Sequence, residues 1–115
     1  MLLKNKPIDI YSFTNYKDIV MELIKDETGV VPRGGYRDLA EVLRCNPSFI
    51  SHFFRKEIHF TIDHAYRFCQ SVSMTREETL FFMELLLLQK AADFKTKEFF
   101  TESIEQMRAS KLVSA

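Results

Sequence analysis

The chain has 115 residues, 46% of them hydrophobic and 28% charged, a balance that fits one compact domain and excludes a disordered tail. At this length about two-thirds of the surface is buried on folding, so a core forms without disulfide or metal staples. Sixteen Lys and Arg stand against sixteen Asp and Glu, so any attraction to nucleic acid or to an anionic membrane must be local.

Glycine and proline number three each, and all six lie before Ser48. Their absence from Ser48 to Ala115 disfavours a hairpin-rich β fold, whose tight turns need residues tolerant of positive φ. Gly29, Gly34 and Gly35 fit neither of the glycine-rich phosphate-binding patterns, which excludes nucleotide-loop enzymes. The longest nearly apolar run, Leu80 to Leu88, is nine residues broken by Glu84, far short of the roughly 20 that span a bilayer. The segment Met1 to Pro7 lacks the apolar stretch of a signal peptide. The expectation is a cytoplasmic protein with no membrane partner. Cys45 and Cys69 form no C-x-x-C pair, and both read as small buried hydrophobes.

After an extended lead containing Pro7 and Ile8, Thr14 or Asn15 caps a first helix with its apolar stripe at Tyr16, Ile19, Val20, Leu23 and Ile24. Gly29 and Pro32 are expected to stop it. A loop through Arg33, Gly34 and Gly35 leads to a second helix carrying Leu39, Ala40 and Leu43. Asn46 as N-cap and Pro47 at the first helical position open a third. Thr61 caps a fourth, bearing Ile62, Ala65, Tyr66, Phe68, Cys69 and Val72. Thr75 and Glu78 form a capping box that opens a fifth. There Leu80 to Leu88 surround the cylinder, so that helix must be covered nearly all round. Phe99, Phe100, Ile104 and Met107 mark a sixth, which frays from Ser110. The expected fold is all-α, a single five- to six-helix domain over 1–115 with a helix-turn-helix at about 36–56 and C-terminal helices at about 75–110.

Helices two and three are separated only by Arg44, Cys45 and Asn46, the link length of a helix-turn-helix. On helix three, Phe49, Ile50, Phe53 and Phe54 fall on one side and Ser48, Ser51, His52 and Arg55 on the other. Hydroxyl, imidazole and guanidinium groups on a short face suit base edges and phosphates in a major groove. The stretch from Leu39 to Phe53 resembles the helix-turn-helix of phage-repressor-like (Cro/Xre-type) bacterial regulators, and Thr61 to Val72 resembles their next helix less strongly. From Ile10 to Leu88 the layout is more loosely similar to the N-terminal module of an uncharacterised family of bacterial transcriptional regulators. The resemblance implies base contacts at Asn46, Ser48, Ser51 and His52, with Pro47 in the same segment. Arg37, Arg44, Arg55 and Lys56 are the expected phosphate contacts.

Arg44 and Lys56 stand where that family usually has glycine, and Glu57-Ile58 where many relatives have a basic pair. From Arg33 to Arg67 there are six cations and four anions, a net of +2 that leaves −2 elsewhere, and His52, His59 and His64 share that window. The expected partner is double-stranded DNA. The alternative is a protein partner, docked on a helix-turn-helix scaffold that has lost DNA binding. The histidine spacings of seven and five lack a metal-site pattern, and neither a cofactor nor an enzymatic constellation is expected. The apolar residues of the last two helices, Phe81, Leu85, Leu88, Phe99 and Phe100, read first as part of a central core and alternatively as a homodimer contact, since such modules commonly bind as dimers.

Overall fold

Side-chain caps set the starts of five of the helices in the computed structural model, which describes the backbone of residues 8–114 and the side chains of residues 8–112. Pro7 of the expected lead lies outside these residues. A single 3-10 turn, Ile10–Ser12, precedes six helices: α1 (Tyr16–Ile24), α2 (Gly35–Leu43), α3 (Pro47–Phe54), α4 (Ile62–Ser71), α5 (Arg76–Lys90) and α6 (Phe94–Ser114). No strand occurs among the described residues. The side chain of Asn15 accepts from Lys17 N–H, and that of Asn46 from Ser48 N–H. Thr75 and Glu78 close the expected capping box. Thr61 forms a second box with an imidazole in place of a carboxylate, because His64 Nδ1 accepts from Thr61 N–H at 3.1 Å.

Two expected ends move. Helix α1 stops at Ile24 rather than near Gly29. Asp26 Oδ1 accepts from Thr28 and Val30 N–H, and Asp26 N–H donates to the Val30 carbonyl. This closed turn competes with the helix for the same backbone groups. Gly29, at φ +84°, serves that turn. At the other end the helical backbone of α6 continues past Ser110 to Ser114.

The core joins Tyr16, Ile19, Val20 and Leu23 of α1, Leu39 and Leu43 of α2, Ile50 and Phe53 of α3, Phe68 of α4 and Phe82 of α5. Rings dominate it: Phe53 stacks on Phe60 at 4.2 Å, and Phe68 on Phe82 at 5.6 Å. The apolar residues of α5 are covered nearly all round, with Leu80, 44% exposed, the exception. Phe81 and Leu85 follow the core reading and not the dimer alternative: both are buried within the chain and have no surface left for a second copy. Phe81 lies against the Tyr11 ring at 4.7 Å, with the Arg108 guanidinium 5.5 Å from its centre. Leu88 and Phe100 are half-buried, so Phe99 is the only one of the five that is well exposed.

Arg108 clasps the two ends of the described chain together. Its Nε donates to the Tyr11 carbonyl at 2.8 Å and its terminal nitrogen to the Phe13 carbonyl at 2.7 Å. At the opposite end of α5, Gln89 Oε1 accepts from Tyr16 N–H at 2.9 Å and so satisfies an open donor at the start of α1. No helix among the described residues is long and apolar enough to cross a membrane.

Candidate nucleic-acid interface

The link between α2 and α3 is the expected three residues, and its backbone is unusual. Arg44 caps α2 in the left-handed region at φ +59°, donating its N–H to the Ala40 and Glu41 carbonyls. Lys56, just past α3, repeats the conformation at φ +67°. A side chain there costs roughly 1–2 kcal/mol relative to an unstrained position, so two exposed cations occupy places that glycine would fill with less strain. Each cation also sits at a helix C-terminus, where the helix dipole favours positive charge. Arg44→Gly is expected to raise unfolding stability by up to about 1 kcal/mol in urea titration. A loss of stability would show that the Arg44 side chain holds the turn.

Ile50 and Phe53 anchor α3 in the core. On its outward side Asn46, Ser48, His52, Arg55 and Lys56 are exposed and Ser51 is half-buried. The flank is therefore open and free of the chain's own described tail. Two of the four expected base-contact residues already carry local bonds. Asn46 Oδ1 accepts from both Ser48 N–H, at 2.9 Å, and Ser48 Oγ, at 3.0 Å. That leaves the Asn46 amide nitrogen to donate and the Ser48 hydroxyl oxygen to accept. His52 Nδ1 lies 3.6 Å from a Glu57 carboxylate oxygen, so the acid in place of a basic pair leans on the face it would oppose.

The cations are shared between structure and surface. Arg67, counted with the local positive charge, donates to the Leu43 carbonyl at 3.0 Å and closes the end of α2. Arg37, Arg44, Arg55 and Lys56 are exposed and make no ion pair among the described residues. Tyr36 stacks on Phe54 at 5.2 Å, which brings the first turn of α2, with Arg37, beside the last turn of α3, with Arg55 and Lys56. Those three expected phosphate contacts therefore gather at one end of the motif. Arg44 lies at the other.

Behind α3 is an anchor that the sequence pattern does not single out. Lys17, only 5% exposed, extends from α1 and donates to the Phe53 and Ile58 carbonyls, each at 2.7 Å. Its ammonium also lies 4.6 Å from the Phe53 ring centre. Burial first, and then the neighbouring Lys56, lower its pKa. Lys17 shares a helix side with Ile24, seven positions on, and that register was the available clue.

Beside it the Tyr16 hydroxyl accepts from Phe60 N–H at 3.1 Å and lies 2.8 Å from His59 Nδ1. The tautomer of His59 sets which of the two donates across that contact. Burial, then Lys17 and Lys90, lower the pKa of His59, while burial and Arg67 lower that of His64. Both imidazoles favour the neutral form in the fold. Their contribution is complete above the unfolded value near 6.5 and is lost as pH falls through the folded values. Urea midpoints are expected to drop on acidification below pH 6.5. His64→Gln, which retains a capping-box acceptor, should flatten that slope; an unchanged slope would exclude His64 as a contributor.

Cys69 is buried, which pushes its thiol up to about 12, and burial raises that of the half-buried Cys45 as well. Neither behaves as a reactive thiolate. Among the described residues no cluster of three or more His, Cys, Asp or Glu is arranged to hold a metal. No family model matches the chain, and neither a curated protein nor a solved structure matches it.

Proposed function

We propose that the chain is a sequence-specific DNA-binding transcriptional regulator that works without catalysis in the bacterial cytoplasm, binds as a homodimer and lays α3 in the major groove. The observation that carries this reading is the open polar flank of α3 with Arg55 and Lys56 exposed at its end. The exposure of Arg44 and Lys56, both free of ion pairs among the described residues, supports it. In this reading Ser51, His52 and the remaining groups of Asn46 and Ser48 meet base edges, while Arg37, Arg44, Arg55 and Lys56 meet phosphates.

The test is binding of the purified protein to a genomic fragment library across a salt series. Arg55→Ala is expected to weaken binding alike on all sequences and make the salt slope shallower by about one. Glu57→Gln is expected to tighten binding, since it removes an anion beside His52. Absence of any salt-dependent binding at low ionic strength would overturn the proposal. It would instead favour a protein-docking module, the second reading, for which the Glu57 carboxylate at this face is the supporting observation.

A further inference from the structure

Helices α4 and α5 run antiparallel. Gln70 and Arg76 share one end of the recess between them, and at the other end Lys90 Nζ reaches the Phe60 carbonyl at 3.4 Å. Their outer side is apolar where a surface is normally polar. Ile62 is 57% exposed, Tyr66 52% and Leu80 44%, with the half-buried Met83 beside them. Leu80 also stands on a ridge, because it borders the α4–α5 recess of about 290 Å³ and a second recess of about 380 Å³ between α5 and α6.

The charges on that ridge are arranged symmetrically. Arg76 and Glu84 each lie four residues from Leu80, one on either side, so the three form a single i±4 row. Neither Arg76 nor Glu84 forms an ion pair among the described residues. Two helices that interdigitate by such rows cross at about −50°, each row lying in the groove beside the other. With a two-fold axis at Leu80, Arg76 of one copy meets Glu84 of the other, and the pair occurs twice. The recess lined by Tyr66 and Met83 supplies the groove.

We propose that the α4–α5 face is a two-fold homodimer contact centred on Leu80, with Arg76 and Glu84 paired across the axis. This rests on the reading of a paired regulator for its purpose, yet it places the contact away from the helix that would meet DNA. The surface is complementary to itself, as an isologous interface requires.

The experiment is sedimentation equilibrium of the full 115-residue chain and its variants, with circular dichroism to verify the fold. The wild-type chain is expected to be dimeric, and Leu80→Glu monomeric with unchanged helicity, since that side chain is half exposed. Arg76→Glu and Glu84→Arg should each weaken the dimer about tenfold or more by placing like charges together, and the double exchange should restore it. Phe99→Glu, on α6, should leave the dimer intact. A wild-type chain that stays monomeric at about 0.1 mM would overturn the proposal, as no dimer of useful affinity would then exist. So would a dimer that survives Leu80→Glu, or a double exchange that fails to recover what the single exchanges lose. The readout is mass alone, so a chain that dimerises as described but ignores DNA would refute the DNA reading and leave this contact standing.

Discussion

Lys17→Met is expected to destabilise the protein by about 3 kcal/mol, although the substitution keeps the length of the side chain and much of its apolar contact. The ammonium satisfies the Phe53 carbonyl at the end of α3 and the Ile58 carbonyl in the following loop. Removing it leaves two acceptors poorly paired, and charge-assisted bonds of this kind contribute more than neutral ones. Urea unfolding at neutral pH measures the effect. A change under about 1 kcal/mol would mean that water replaces the ammonium at those carbonyls. Loss of Lys17 should also loosen the segment carrying Arg55 and Lys56, so under the DNA-binding proposal the variant should bind more weakly although Lys17 itself would not touch DNA. Lys17→Arg, which retains charge and donors, should recover part of both losses.

Phe53→Ala is expected to cost about 4 kcal/mol, in the range for deleting a fully buried ring from a packed core. Phe53 is wholly buried, stacks on Phe60 and lies under the Lys17 ammonium, so its loss leaves a cavity and removes the cation's aromatic support. Phe54→Ala, one residue on, provides the contrast. That ring is half-buried against Tyr36, and its loss should cost well under half as much while separating the first turn of α2 from the last turn of α3. Similar losses at the two positions would show that α3 is held from its flank as firmly as from beneath.

How legible these features are in the sequence depends on how local they are. Asn15, Asn46 with Pro47, Thr61 and Thr75 cap their own helices, and each bond closes within three residues, so the helix starts could be read directly. The polar flank of α3 was legible for the same reason, since alternation on one short helix needs no knowledge of the rest. Gly29 misled because Asp26, three residues earlier, had already turned the chain. Phe81 and Leu85 left core and dimer contact both open because a helix with apolar residues on every side does not reveal which neighbour covers which side. The covering groups, Tyr11 and Arg108, lie 70 positions before and 27 after Phe81. Lys17 and Tyr16 were opaque in the same way: their partners are more than 35 positions distant, and a lysine with an apolar stem reads as an ordinary surface residue until its amine is located.

The bonds from Arg108 to the Tyr11 and Phe13 carbonyls join stretches almost a hundred positions apart. A chain pulled from its extremities in an optical trap would meet that link before force reached the helix-turn-helix. Peeling would begin where α6 leaves α5, and the motif would remain folded after its outer wrapping had come away.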